Sequence, residues 1–287
     1  MRISDITLGQ FFPGFSTLHK LDPRTKIILS IIFIVTIFLA KNPVTFLFLV
    51  LFVGMLILMS RISFGAIFRG IKPILFILIF TSLINLFLTK GDGEPLVEFY
   101  FITIYQDGIY RAIFMSLRVI LLIVGTSILL TYTTSPIALT DGIESLLSPL
   151  KVIGVPVHAF AMMMSIALRF IPTLVEETEK IMNAQKSRGA DFSSGGLLKM
   201  AKSLIPILIP LFISSFKRAD ELATAMECRC YRGDKHRTKM IKLEYKLRDL
   251  AWSLVFIAVI GIVIVARILP YEYEINNVLL QILFYKI

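Results

Sequence analysis

Long apolar stretches without charged residues dominate the pattern of this chain. Seven such stretches occur: residues 27–40, 42–60, 73–89, 119–140, 152–168, 203–216 and 250–266. A membrane-spanning helix needs about 20 mostly apolar residues. Five of the stretches, all except 152–168 and 203–216, are therefore predicted to cross a membrane. The shortest, 27–40, is flanked by Lys26 and Lys41, whose long side chains can reach the membrane surface from its two ends.

The two remaining stretches continue without a break into charged helical segments. Residues 152–168 lead into a segment that ends near Gly189, and residues 203–216 lead into one that ends near Gly233. Simple spans do not usually merge into long amphipathic helices. We therefore interpret both as long helices that begin at the membrane and project along or below it. If both were true spans, the chain would cross the membrane seven times with the same end points.

The distribution of charge predicts which side of the membrane each loop faces. Lys and Arg are concentrated in residues 1–26, 61–72 and 217–248, whereas residues 91–108 contain four acidic residues and no Lys or Arg. Loops rich in Lys and Arg usually stay in the cytoplasm. This places the N-terminus inside, residues 91–108 outside and the C-terminus outside. Within the outer loop, residues 98–105 predict a short β-hairpin or an aromatic belt at the membrane surface.

The composition supports a membrane protein and excludes other classes. The 287 residues are 56% hydrophobic and only 17% charged, against about 25% charged residues in an ordinary soluble domain. This excludes a soluble enzyme, a disordered chain and a secreted disulfide scaffold, and it argues against nucleic-acid binding despite the net charge of +10. The predicted fold class is an all-α integral membrane protein with about five transmembrane helices plus long cytoplasmic helices.

The predicted domain organisation has three parts. Residues 1–132 form an N-terminal tail and four transmembrane helices. Residues 133–247 form a cytoplasmic domain, with an interfacial helix and two long helices that end near Arg188 and Arg229. Residues 248–287 form the last transmembrane helix and an outer tail.

The sequence lacks the motifs of several catalytic and transport chemistries. It contains no G-x-x-x-x-G-K-[ST], no H-E-x-x-H and no G-x-S-x-G. The middles of the predicted spans carry almost no ionisable residue apart from Arg118, which argues against a membrane enzyme and against a proton- or sodium-driven carrier working alone. Cys228, Cys230 and His236 offer only three ligands among arginines that repel a cation, so no metal site is predicted.

Two helix endings in the predicted cytoplasmic domain are alike. The first reads Ser187-Arg188-Gly189 and the second reads Cys228-Arg229-Cys230. Arginine presents a planar fork of donors that binds carboxylates in pairs, and small neighbours would let that fork enter a groove on a partner. The alternative is that each cation simply balances the negative end of the helix dipole. That explanation is sufficient for any single arginine, but the duplication favours docking.

Four stretches together carry a resemblance to a known family. They are GFSTLHKLDPRTK at 14–26, ALRFIP at 167–172, QKSRGA at 185–190 and AMECRCYRG at 225–233. Because these four stretches occur in this order, the chain resembles the transmembrane T component of energy-coupling factor (ECF) transporters, the EcfT/CbiQ-like family. The resemblance extends over nearly the whole chain, and the paired X-Arg-X endings are its most specific feature.

The resemblance implies a non-catalytic subunit of an ABC-type importer for vitamins or transition-metal ions in a bacterial cell membrane. Two ABC ATPase subunits would bind ATP and Mg²⁺, and this chain would bind no cofactor. One or more small membrane proteins, the S components, would bind the substrate, and this chain would couple the ATPases to them through its long cytoplasmic coupling helices. The family's docking arginines correspond to Arg188 and Arg229, flanked here by Ser187, Gly189, Cys228 and Cys230, where Cys230 replaces a common glycine.

A second surface is predicted to contact the S component. It comprises Met162, Met163, Met164, Pro206 and Pro210 on the membrane-side stretches of the two long helices. Methionine suits a surface that accepts different partners, although ordinary helix packing explains these residues equally well. The alternative for the whole protein is a channel or secondary carrier that functions without partners.

Overall fold

The structure is a computed structural model that describes residues 11–88, 97–99, 102–190, 197–231, 233 and 243–268. Within these residues the elements are α1 (Pro23–Leu39), α2 (Pro43–Ser60), α3 (Phe64–Leu88), β1 (Val97–Phe99), β2 (Ile102–Ile104), α4 (Gln106–Thr126), a π-helix (Ser127–Tyr132), α5 (Pro136–Leu146), a 3₁₀-helix (Ser148–Ile153), α6 (Val157–Ser187), α7 (Leu197–Cys228) and α8 (Leu247–Ile268). In this described part the protein is all-α except for β1 and β2, which pair as an antiparallel hairpin. The hairpin predicted for residues 98–105 is thus confirmed.

Contacts divide the described residues into two compact units. The first, which we call the membrane unit, comprises residues 11–135 and 243–268, and the second, the coupling unit, comprises residues 136–233. The predicted division into three parts, with boundaries near residues 132 and 247, assigns each part to the membrane or to one side of it. The structure contains no membrane, so this division stays a prediction.

Five helices in the described part of the chain are long and apolar enough to cross a membrane. They are Pro43–Ser60, Phe64–Leu88, Gln106–Tyr132, Val157–Ser187 and Leu247–Ile268. Four of them match predicted spans. The fifth is α6, which the sequence pattern assigned to a long helix along or below the membrane, with a true span as the alternative. Helix α1, with its 17 residues, is at the short end of the spanning range.

Aromatic rings fill the centre of the membrane unit. Phe33 of α1, Phe52 of α2 and Phe256 of α8 lie with their ring centroids 5.2–6.4 Å apart and are buried. Gly125 of α4 lies directly against the ring of Phe33, so a β-carbon at this position would overlap the ring. Glycine therefore lets α4 approach α1 closely at the level of this aromatic cluster.

Arg118 in α4 contacts protein, which is common for an arginine within an apolar segment. Its Nη2 donates to the carbonyl oxygen of Ala40, 2.9 Å away at the C-terminal end of α1. Its guanidinium also lies over the ring of Phe46, 5.5 Å from the centroid. The negative end of a helix dipole and an aromatic face both favour a cation, so the charge is stabilised without a carboxylate.

Candidate functional site

Helices α6 and α7 of the coupling unit run antiparallel. Near the end of α6, Gln185 donates a long hydrogen bond of 3.5 Å to the carbonyl oxygen of Pro206 in the first half of α7. Eight residues earlier in α6, Glu177 forms an ion pair of 3.2 Å with Arg218, which is twelve residues further along α7. The carbonyl of Pro206 is available to Gln185 because Pro210 has no backbone N–H to offer it. The ends of the two helices that carry Arg188 and Arg229 are therefore at opposite ends of the pair.

The first arginine occupies the C-cap of α6. Arg188 follows Ser187, the last helical residue, and Gly189 adopts the left-handed conformation with φ of 87°. The N–H of Gly189 donates to the carbonyl of Lys186 at 2.9 Å, and that of Ala190 donates to Gln185 at 3.0 Å. These two bonds define a Schellman motif, which ends the helix and satisfies its last carbonyls.

The second arginine occupies the same position in the same motif. Helix α7 ends at Cys228. The N–H of Cys230 donates to the carbonyl of Glu227 at 2.8 Å, and that of Tyr231 donates to Met226 at 3.0 Å. Arg229 is thus the C-cap residue, and the left-handed position is taken by Cys230 with φ of 58°. Helix α7 thus ends beside Arg229, where the sequence pattern placed its end, and the turn is completed three residues before Gly233.

A non-glycine residue in the left-handed conformation is strained by about 1–2 kcal/mol because its β-carbon approaches the carbonyl oxygen. Replacing Cys230 by glycine is therefore expected to stabilise the end of α7 by about 0.5–1 kcal/mol, which is less than the strain because glycine loses more backbone entropy. Hydrogen exchange at Tyr231 should slow correspondingly. The matched control is Cys228→Gly, which places glycine inside the helix and should accelerate the same exchange. Faster exchange in Cys230→Gly would contradict the strain at this position.

The flanks of both arginines leave the guanidinium groups accessible. Arg188 and Arg229 are exposed, as are Ser187 and Gly189. Cys228 and Cys230 are exposed free thiols. Nothing in the described residues covers either arginine, so both could enter a groove on another protein. His236, the third residue considered as a metal ligand, lies outside the described residues.

The predicted S-component surface is largely exposed and apolar. Met163 and Met164 are 53% and 55% exposed, and Met162 is partly buried. Pro206 is exposed and Pro210 is half-buried. Leu204, Ile205, Leu208 and Ile209, which lie in the same predicted stretch of α7, are exposed as well. The structure extends this row by three exposed apolar side chains that the sequence reasoning did not single out: Phe212, Ile213 and Phe216. Their i, i+3, i+4 spacing was visible in the sequence and could have identified them.

Lys26 is a buried residue whose position the sequence reasoning missed. Only 2% of it is exposed, so the expectation that it extends to the membrane surface is wrong. Its ammonium donates to the carbonyl of Thr133 at 2.7 Å, to Oγ1 of Thr134 at 3.2 Å and to the carbonyl of His19 at 3.3 Å. These acceptors draw the side chain back into the membrane unit and tie the start of α1 to the end of the π-helix.

The start of α8 is joined to the same region. Asp22 caps α1 by accepting from the N–H of Arg24 at 2.9 Å. The buried Asp249 of α8 accepts from the backbone N–H groups of Asp22 and Lys246, each at 2.8 Å. The motif that carried part of the family resemblance at residues 14–26 thus serves as a structural junction of the membrane unit.

The loop before α1 is folded around His19. The imidazole contacts Oγ of Ser16 at 2.7 Å and the carbonyl of Phe12 at 2.9 Å, and it lies so close to Gly14 that a β-carbon there would be 2.8 Å from the ring. Burial lowers the pKa of His19, the bond to Phe12 raises it, and the positive charge of Lys26 lowers it. The net direction is downward, so the neutral form is favoured.

The sequence is similar to known proteins over most of its length. The family described as cobalt transport protein, CbiQ, matches residues 14–240. The chain belongs to the CbiQ family. It is 53% identical over 266 residues to the energy-coupling factor transporter transmembrane protein EcfT of Clostridium kluyveri, covering 93% of this chain and 98% of that protein.

Other CbiQ-family relatives carry the same name. The chain is 56% identical to EcfT of Ruminiclostridium cellulolyticum, covering 86% of this chain and 91% of that protein. It is 47% identical to EcfT of Bacillus subtilis, covering 86% and 92%. The predicted family is confirmed, and the names agree with a transport subunit rather than an enzyme.

Proposed function

We propose that this chain is the transmembrane coupling subunit of an ECF importer. It would transmit the ATP-driven motion of two ABC ATPase subunits to one or more substrate-binding S components that take up a vitamin or a metal ion. The observation that carries the proposal is the repeated helix ending: two exposed arginines occupy the same C-cap position in two identical Schellman motifs. Because Arg188 and Arg229 are presented with the same backbone geometry, each could dock onto one of two partner subunits of the same kind.

The spacing of the arginines supports docking onto two separate subunits. Arg188 lies near the level of Pro206 because Gln185 contacts that residue. Arg229 lies 23 residues beyond Pro206 along α7, which corresponds to about 35 Å of helix at 1.5 Å per residue. One groove cannot receive both side chains at this distance, whereas the two members of an ATPase pair can receive one each.

The proposed mechanism uses the antiparallel helix pair as a lever. ATP and Mg²⁺ bind to the partner ATPases, and no cofactor binds to this chain. When the ATPases close, the two arginine ends move with them, and α6 and α7 slide or pivot against each other. One partly exposed ion pair and one long hydrogen bond between side chain and backbone join the two helices, and such contacts resist the motion weakly. The exposed methionines and the apolar row of α7 would then hold or release the S component.

The orientation follows from the distribution of basic residues. We infer that the N-terminus and both arginine ends are cytoplasmic, that residues 91–108 are outside and that the C-terminus is outside the cell membrane. This orientation gives both arginines access to cytoplasmic ATPases. It also places the β1–β2 hairpin on the outer side.

The proposal is tested by purifying the tagged chain from its native host in mild detergent and reconstituting what is recovered. Two ABC ATPases and at least one small hydrophobic protein should co-purify, and the reconstituted complex should transport the small protein's ligand only with ATP. The chain alone should neither hydrolyse ATP nor transport. Transport by the chain alone in liposomes would instead support the stand-alone channel or carrier.

A further inference from the structure

An apolar cavity lies within the coupling unit between α5, the 3₁₀-helix and α6. Its volume is about 510 Å³. Ten of its twelve lining residues are apolar: Ile143, Leu147, Leu150, Val155, Val157, Phe160, Ala161, Met163, Met164 and Ala167. The other two are Thr140 and Glu144. We propose that this cavity binds one acyl chain of a membrane phospholipid, with the phosphate of the headgroup at Lys151.

The polar groups of the wall are already satisfied. The buried carboxylate of Glu144 is 2.8 Å from Nδ1 of the buried His158. The hydroxyl of Thr140 donates to the carbonyl of Pro136 at 3.0 Å. A polar ligand would have to displace these bonds, whereas a hydrocarbon chain needs no partner. The chemistry of the wall therefore selects an apolar occupant.

The size of the cavity favours a chain over a helix. A helix with its side chains is about 10 Å across, so 510 Å³ would hold only about one turn of it. A flexible hydrocarbon chain is narrower and can follow an irregular wall. Met163 and Met164 can adjust to such an occupant because methionine has three rotatable side-chain bonds.

The opening of the cavity is next to exposed aliphatic side chains of the kind found at a membrane surface. Leu150 and Val155 line the cavity, and Val152 and Ile153 between them are 92% and 78% exposed. Two neighbouring aliphatic residues with this exposure are stabilised where they lie among lipid tails. Lys151 precedes them and is exposed, so its ammonium can meet an anionic headgroup while its neighbours contact acyl chains.

The inference concerns the chain by itself and does not rest on the proposed function. Met163 and Met164 also belong to the proposed S-component surface, so the acyl chain would occupy the cavity while no S component is bound. The rival explanation is that only a helix of a partner protein enters the cavity. The probe is a phosphatidylglycerol with a diazirine near the end of one acyl chain, diluted into phosphatidylcholine nanodiscs that contain the full-length chain alone. After irradiation, mass spectrometry locates the labelled peptides.

We expect labelling of Met163 and Met164 that saturates at a low fraction of probe, while the exposed face of α3 is labelled in proportion to the fraction of probe. Ala167→Trp should obstruct part of the cavity and reduce the labelling of these methionines about tenfold, as expected when about two methylene groups of the acyl chain lose their burial. The matched control is Ala223→Trp, at an exposed helical alanine of α7, which should leave labelling unchanged. Circular dichroism verifies that both variants are folded.

A second experiment tests whether Lys151 binds the lipid headgroup. Lys151→Gln should reduce the preference for phosphatidylglycerol over a phosphatidylcholine probe about fivefold, since one basic residue near a membrane contributes about that much. The proposed lipid site would be refuted if the labelling of Met163 and Met164 rose only in proportion to the fraction of probe. It would also be refuted if Ala167→Trp left this labelling unchanged. Labelling that is absent in the chain alone, together with cross-links from these methionines to an S component in the complex, would assign the cavity to a partner helix instead.

Discussion

Alanine at both Arg188 and Arg229 is expected to abolish ATP-driven uptake by the assembled transporter and to release the ATPases during purification. Each guanidinium is exposed at a helix end and would be buried in an ATPase groove. Truncation of a buried interfacial arginine typically costs about 2 kcal/mol or more, which is about 30-fold in affinity. The single variants should weaken recovery of the complex, and the double variant should lose it. Co-purification of the ATPases and uptake in membrane vesicles measure both effects.

The matched control is the double variant Lys180→Ala and Lys217→Ala, which removes the same charge from exposed positions of α6 and α7 away from their ends. It should preserve docking. Arg188→Lys with Arg229→Lys separates charge from shape, because lysine keeps the cation but lacks the planar fork. If the arginines only balanced the helix dipoles, the alanine variants would lose about 0.3–1 kcal/mol of stability and the complex would remain intact. Intact complex and normal uptake in the double alanine variant would therefore refute the coupling role.

The sequence predicted the features that depend on local pattern. Uncharged runs identified four of the five spanning helices, and small residues around Arg188 identified the end of α6. The end of α7 was harder to place, because a pattern search expects glycine at the left-handed position and Gly233 is the nearest glycine. The backbone bonds of Cys230 and Tyr231 close the turn earlier, at the cost of strain in Cys230.

Features that depend on distant residues could not be predicted. The burial of Lys26 requires Thr133 and Thr134, which are more than 100 residues away in the chain. A lysine before an apolar run is usually a membrane-surface residue, and no local signal distinguished this one. The cavity lined by Thr140 and Ala167 is likewise visible only once α5 packs against α6.

The interior position of Lys26 leads to the second large expected effect. Lys26→Ala should destabilise the membrane unit by about 2–4 kcal/mol, because an unsatisfied buried acceptor costs about 1–3 kcal/mol and the ammonium serves two backbone carbonyls and a hydroxyl. Lys26→Met keeps the volume of the stem and loses only the bonds, so its loss should be smaller. Thermal unfolding can be followed by the fluorescence of Trp252, the single tryptophan, which is buried in the same unit.

Lys41→Ala is the matched control for Lys26, since it removes an exposed lysine that follows the other end of α1. It should leave the unfolding temperature nearly unchanged, as surface substitutions usually alter stability by less than about 0.5 kcal/mol. The order of unfolding temperatures should be wild type and Lys41→Ala, then Lys26→Met, then Lys26→Ala. Removing a buried charge also recovers its desolvation cost, which opposes the loss of the bonds. If that recovery dominated, Lys26→Met would unfold at a higher temperature than wild type, and the hydrogen bonds of Lys26 would not be what stabilises the junction of α1 with the π-helix.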